Sequence, residues 1–270
     1  DETRPSTNSG ARLNSLNLQT FRNYQTAHLD LESDAVVLNG PNGAGKTNVL
    51  EAVSMLAPGR GLRRAHREEI GYLADQQKTD ADRQMSVWSV FAEIKGPQGQ
   101  VSVGTGCLAD QLEGSRRAIK INGVNAVQAD LAQAVTLSWL TPQMDGLFIG
   151  SPSARRRFID RLAIAFDPAH SGRLARYEKV WRERVRLLAD GQADDKWCIS
   201  LEKILAETGM AISATRFSLI EDINCESQNL VSSFPLIRAS LTGKAADWLV
   251  GGCPAIEIED RILLAARQNR

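Results

Sequence analysis

Gly40-Pro-Asn-Gly-Ala-Gly-Lys-Thr47, with the apolar run Ala35-Val-Val-Leu38 before it and Asn48-Val-Leu-Glu-Ala-Val-Ser-Met-Leu56 after it, decides how this chain is read. The run is strand-like, the following segment has helical periodicity, and the glycines between them allow the backbone to wrap a phosphate closely. Strand, loop and helix in this order make a phosphate-binding loop. In it, Gly40, Asn42, Gly43, Ala44, Gly45 and Asn48 form the nucleotide cradle. Lys46 bridges β- and γ-phosphates, Thr47 ligates Mg²⁺, and the helix beginning near Lys46 adds its dipole and free amides.

Outward from this loop, the chain is of ordinary globular composition. Its 270 residues, 43% hydrophobic and 24% charged, can bury a sizeable core in one large domain or two lobes. No apolar run approaches a membrane span, and the polar start, DETRPSTNSG, has no signal-peptide core, so a cytoplasmic protein is expected. Cys107, Cys198, Cys225 and Cys253 lack CxxC spacing and read as reduced structural thiols. His28, His66 and His170 form no ligand pattern.

Net charge is zero, from 32 basic and 32 acidic residues, yet the basic residues are clustered. Arg60, Arg63, Arg64 and Arg67 follow the nucleotide helix directly. Between Ser153 and Arg186 lie ten basic residues against four acidic ones, Arg155, Arg156 and Arg157 in immediate succession. Either cluster can be a solvated face or a contact for nucleic-acid phosphates.

The spacing predicts a strand over 16–21, an aromatic turn at Phe21-Arg-Asn-Tyr24 and a short strand near His28–Leu31. It predicts buried strands at 35–38 and 135–140, the latter ending at Thr141-Pro-Gln143. Strands at 86–94 and 101–103 and an Asn122-Gly123 hairpin form an antiparallel subdomain beside the parallel core. Ser151-Pro152 starts a helix burying Phe158, Ile159, Leu162 and Phe166. A second helix carries a seam at Leu174, Tyr177, Trp181, Val185 and Leu188, and a third carries Trp197, Leu201, Ile204, Leu205, Thr208 and Ile212, making a helical hairpin. A strand is expected at 234–241 and a last helix at 257–266. The fold class is α/β: residues 1–11 a disordered tail, 12–150 a P-loop lobe with an antiparallel subdomain, and 151–270 an arginine-rich helical lobe.

Phe21-Arg-Asn-Tyr24, GPNGAGKTN, the PGRGLRRA segment from Pro58, the Ile-Asn-Gly hairpin, Thr-Pro-Gln143 and Gly150-Ser-Pro-Ser-Ala-Arg-Arg-Arg-Phe-Ile-Asp160 together resemble the RecF family of ABC/SMC-like bacterial DNA repair ATPases. The resemblance spans residues 12–270. It implies an ABC-type head that binds ATP and Mg²⁺, closes as an ATP-dependent homodimer on DNA, and acts with RecO and RecR to load RecA at single-strand gaps. It places Gln143 at the Q-loop, as a catalytic and Mg²⁺ residue with Lys46 and Thr47, and puts Arg22 and Asn23 near the nucleotide. It makes Arg60, Arg63, Arg64, Arg67, Arg155, Arg156 and Arg157 candidates for DNA or dimer contacts.

Between 144 and 270 there is no LSxGQ-like stretch and no apolar run leading into Asp-Asp or Asp-Glu. The chain is therefore expected to correspond to the N-terminal portion of such a protein, ending before the C-terminal ATPase half. A slow DNA-stimulated ATPase is implied for the intact protein, and hydrolysis by this chain stays open. Two other readings remain: a non-catalytic nucleotide-binding interaction module, and the ATP-binding subunit of a transporter, for which the arginine-rich lobe is a poor coupling surface.

Overall fold

The structure, a computed structural model, describes residues 11–66, 69–71, 87–97, 99–107, 117–189, 195–229 and 235–270. The expected 1–11 tail lies almost wholly outside the described residues, and Arg67 lies outside them. The chain divides into two compact units, 1–139 and 140–270.

The first unit is built on alternation. In β1 (Arg12–Phe21), Leu16, Leu18 and Phe21 turn inward, and in β3 (Trp88–Gly96) Trp88, Val90, Ala92 and Ile94 do the same. A period of two puts each set on one face, which is why these strands were legible. With β2 (Tyr24–Asp30), β4 (Gly99–Cys107), β5 (Ala118–Ile121) and β6 (Val124–Asn125) they form a six-stranded sheet in the order β2-β1-β3-β4-β5-β6. Every pairing in it is antiparallel. Asn122 (φ 50°) and Gly123 (φ 78°) make the predicted tight turn. Phe21 and Trp88 meet edge to face at 5.8 Å between ring centroids. Against this face packs α1 (Lys46–Ser54) through Val49 and Ala52, with Leu56 just beyond it, and α2 (Gln128–Ala134) adds Leu131.

Two expected strands do not form. Residues 35–38 and 135–140 run without ladder partners; Val36 and Val37 are 48% and 89% exposed and Leu140 80%. A strand needs a neighbouring strand to take its backbone groups, and among the described residues no ladder or bridge includes either segment. The parallel core expected beside the antiparallel subdomain is thus not seen among the described residues. Apolar alternation survives in the buried Val135 and half-buried Leu137, so periodicity reports an extended chain without reporting its pairing.

The second unit begins with a 3-10 turn at Pro142–Gly146, where a strand end was expected at Gln143. The 140–150 segment is tied to the helices that follow: Arg155 Nη1 donates to the carbonyls of Phe148 (3.3 Å) and Gly150 (2.7 Å), and Arg161 reaches Met144 Sδ at 3.9 Å. Helix α3 (Pro152–Phe166) starts at Ser151, whose Oγ accepts from Ala154 N. Helices α4 (Ala169–Ala189) and α5 (Asp195–Asn229) form the predicted hairpin, and α6 (Lys244–Val250), which sequence reading missed, precedes α7 (Ala255–Gln268). The expected strand at 234–241 does not form over its described residues, which have no regular secondary structure. This segment is held by α5 side chains: Asn224 bonds both backbone groups of Ala239, and Ser227 Oγ accepts from Ile237 N.

Charged residues shift the helical faces from their predicted places. On α3 the buried positions are Asp160 and Ala163, while Phe158, Ile159 and Leu162 are half-buried and Phe166 is 80% exposed. On α4 the buried seam runs through Tyr177, Val180 and Leu187, and Trp181 and Val185 point outward. The cause is polar. Asp160 accepts from Arg216 Nε and Nη2 (2.7 Å each) and contacts the fully buried His170 Nε2 at 2.9 Å. Glu202, fully buried on α5, takes Arg184 of α4 and Arg270. A hydrophobicity pattern cannot show such seam members.

Burial alone would raise the Asp160 carboxyl, but the hydrogen bonds from His170 and Arg216 outweigh it and hold the group below the ordinary carboxylate range. A depressed folded-state pKa contributes stability that is fully present above the unfolded value of about 4 and is lost as pH falls through the folded one. Thermal melts from pH 7 to pH 3 should therefore fall steeply at the acid end for the wild type. Asp160→Asn should melt lower at pH 7 and show a shallower acid limb, with Glu202, lowered likewise by Arg270 and Arg184 against its burial, supplying the remainder. Parallel acid limbs would exclude the Asp160 contribution.

Candidate nucleotide site

Helix α1 opens at Gly45 (φ 99°), which has no side-chain cap, and its first turn carries no acidic residue. The first amides of a helix have no intrahelical acceptor. Left uncapped, they and the dipole present positive potential toward residues 40–45. Gly45 has to be glycine for a second reason. A Cβ there would lie 2.5 Å from the Tyr24 hydroxyl and 2.7 Å from Asn23 Nδ2. The aromatic turn after β1 is thus packed directly on the loop. Gly45→Ala, strained in φ and overpacked, should lower the melting temperature of the first unit by the equivalent of about 1–3 kcal/mol, and an unchanged melt would refute that packing.

Lys46 Nζ donates to the carbonyls of Gly40 (2.7 Å) and Pro41 (2.8 Å), closing the loop into a ring. Asn42, Gly43, Ala44 and Thr47 are exposed around it, and Tyr24 Oη donates to the Ala44 carbonyl at 3.5 Å. The ring, the bare helix end and the exposed Thr47 hydroxyl suit a phosphate chain with its own cation. Among the described residues no cluster of three or more His, Cys, Asp or Glu could hold a metal alone.

The residue that organises the surroundings is Glu51, one turn into α1 and 1% exposed. Arg22 grips it in a fork, Nε to Oε2 at 2.8 Å and Nη2 to Oε1 at 2.5 Å, and Arg63 Nη1 adds a third bond at 3.1 Å. Arg63 also donates to Asn48 Oδ1 (2.8 Å), whose Nδ2 donates to Asn23 Oδ1 (2.7 Å). Arg22 Nη1 and backbone N reach the carbonyls of Glu69 and Ile70. One network thereby joins the β1–β2 turn, the P-loop helix and the arginine segment. Sequence reasoning missed Glu51, although a lone carboxylate inside the apolar run Val49-Leu-Glu-Ala-Val53 was the available signal. It also missed Arg117, whose guanidinium, brought down to about 10 by burial, donates to the Met55 and Ala57 carbonyls and closes the C-terminal end of α1.

Of the sequence candidates, Gly40 to Asn48, Arg22, Asn23 and Arg63 are brought together here. Arg22 and Asn23 spend their polar groups on Glu51 and Asn48 in this state. Arg60 and Arg64 are exposed beside them. Gln143, Arg155, Arg156 and Arg157 belong to the second unit; Gln143, Arg156 and Arg157 are exposed, whereas Arg155 braces the chain at 148–150.

A phosphate-loop helix packed on an antiparallel sheet can be compared with known proteins. The RecF/RecN/SMC N-terminal domain matches residues 12–233. Three proteins named DNA replication and repair protein RecF align over 261 residues, 96% of this chain: those of Mesorhizobium japonicum (42% identical, 66% of its length), Agrobacterium fabrum (41%, 66%) and Rhizobium meliloti (40%, 67%). The chain belongs to the RecF family. It spans about two thirds of the length of these relatives. Among solved structures, that of the recombination mediator protein RecF-ATP in the RecFOR pathway superposes with a TM-score of 0.74 at 18% identity, covering 96% of this chain and 68% of its own. The RecF-ATPrS structure gives 0.70 at 20%, covering 82% and 57%. At these identities the superpositions establish the RecF/SMC type of fold for this RecF-family chain.

Proposed function

We propose that this chain is the nucleotide-binding portion of a DNA replication and repair protein that binds ATP with Mg²⁺ and holds DNA as an ATP-dependent dimer. The observation that carries the reading is the Lys46-closed loop against an uncapped helix end. Supporting it are relatives named for DNA replication and repair and fold neighbours named for ATP and ATPrS complexes. Lys46 and the amides at Gly43 to Thr47 bind the phosphate chain. The Thr47 hydroxyl ligates Mg²⁺, which supplies charge neutralisation between phosphates when bound. Gln143 serves the Q-loop role, and Arg60, Arg64, Arg156 and Arg157 are the exposed phosphate contacts for DNA. Action with RecO and RecR in loading RecA, and a cytoplasmic setting, belong to the same proposal; no described helix is long and apolar enough to cross a membrane.

The test uses the full-length protein. Sedimentation and duplex retention with and without ATP and Mg²⁺ should show a dimer and tighter DNA binding only with nucleotide; a nucleotide-indifferent monomer would overturn the clamp. Within that assay Arg60→Ala with Arg64→Ala should weaken binding of all sequences alike. The slope of log K against log salt should fall by about 2, one unit for each phosphate that an arginine no longer neutralises. An unaltered slope returns the two arginines to a solvated face.

A further inference from the structure

Gln143 lies on a segment shaped by short backbone bonds rather than by a neighbouring strand. Thr141, Met144 and Leu147, three apart, are half-buried and the residues between them are exposed, the pattern of a 3-10 turn. Met144 N donates to the Thr141 carbonyl and Leu147 N to the Met144 carbonyl, both at 2.9 Å. Ile149 N and Gly150 N then share the Gly146 carbonyl, at 3.2 and 2.8 Å. From Thr141 to Gly150 one turn closes on the next, so a displacement at one end is carried to the other.

Helix α3 holds this string near both ends. Beside Gln143, Arg161 reaches Met144 Sδ. Six residues earlier on the helix, about 9 Å along its axis at 1.5 Å per residue, Arg155 Nη1 donates to the Phe148 and Gly150 carbonyls together. Arg155 differs in this from Arg156 and Arg157, which are exposed, whereas it is half-buried with its cation turned back on the chain. A charged donor makes a stronger bond than a neutral one, so this brace outweighs the backbone bonds it adjoins.

We propose that Arg155 is a positioning residue for Gln143: it locks the 141–150 string onto α3, so that the helical unit sets the pose of the glutamine amide. The inference rests on the Q-loop role given to Gln143 above and deepens it by naming what holds that residue in place. In ATP hydrolysis water displaces ADP from the γ-phosphoryl group, releasing inorganic phosphate and a proton, and a glutamine that orients this water acts through position alone. A misplacement of about 1 Å costs such a group on the order of 100-fold in rate. Loss of Arg155 should therefore slow turnover and spare nucleotide affinity, because the phosphate loop belongs to the first unit.

The experiment compares full-length wild type with Arg155→Met, Arg155→Lys, Gln143→Ala and the double variant Gln143→Ala/Arg155→Met. ATP hydrolysis is followed with Mg²⁺ at saturating duplex DNA, so that a lost DNA contact does not enter. Affinity for a fluorescent ATP analogue, thermal melts and amide hydrogen exchange over 144–150 are measured beside it. Arg155→Met should lower kcat by roughly 10- to 100-fold, keep KM and analogue affinity within about twofold, and speed exchange over 144–150. Arg155→Lys should recover most of kcat, since both bonds come from one nitrogen and an ammonium can make them. The double variant should turn over no more slowly than Gln143→Ala, because the brace acts only through the glutamine. Unchanged exchange in Arg155→Met overturns the proposal. So does wild-type kcat in Arg155→Met beside a slow Gln143→Ala, which would leave Arg155 a structural brace, or losses that add in the double variant. Wild-type kcat in Gln143→Ala removes the Q-loop role itself, and this inference with it.

Discussion

Replacing Lys46 by alanine should lower affinity for an ATP analogue by roughly 10- to 150-fold, the equivalent of losing a charged hydrogen-bonding group worth about 1.5–3 kcal/mol. The ammonium has two functions that the substitution removes together. It closes the loop on the Gly40 and Pro41 carbonyls, and it is the cation a phosphate chain meets when it displaces those carbonyls. Lys46→Arg should not restore binding. A planar guanidinium cannot occupy the ring that the compact ammonium fills. Stability should change little, because Lys46 is half-exposed and its two partners can turn to water. Titration of a fluorescent ATP analogue, beside a thermal melt, separates the two effects. An alanine variant that binds as the wild type would remove the phosphate-loop reading, and with it the proposed ATP dependence.

What the sequence disclosed and what it hid follow one physical division. The strands at 12–21, 88–96 and 99–107, the Asn122-Gly123 turn and the Ser151-Pro152 helix start were legible because each rests on local chemistry: alternation, positive φ, a capping hydroxyl. The segments at 35–38, 135–140 and 234–241 were misjudged because pairing depends on a neighbour that composition does not name. The α4 seam was misplaced because Arg184 is part of it, and the α3 seam because Asp160 is. At the nucleotide site the glycines and Lys46 carry a pattern, while Glu51 is recognisable only once Arg22, 29 positions earlier, and Arg63, 12 positions later, are seen around it.

That buried carboxylate carries the second large effect. Glu51→Ala should destabilise the first unit by about 3–5 kcal/mol, since it leaves the Arg22 guanidinium, 16% exposed, without its charge partner. The Arg63 arm contributes less, being 43% exposed and screened by water. Glu51→Gln keeps the shape and part of the hydrogen bonding, so its loss should be smaller. A double-mutant cycle tests the cause. If the cost comes from an orphaned Arg22, then adding Arg22→Met to Glu51→Ala removes the unpaired charge and recovers stability, giving a coupling energy above about 1 kcal/mol. If the two losses simply add, Glu51 acts through packing and the fork is incidental. The same cycle read by ATP-analogue affinity bears on function. Arg22 and Asn23 belong to the turn whose Tyr24 and Asn23 side chains press on Gly45, so loosening the fork should widen the loop and weaken nucleotide binding even with Lys46 intact. Affinity that survives the loss of the fork would show that the loop holds its shape through Lys46 alone.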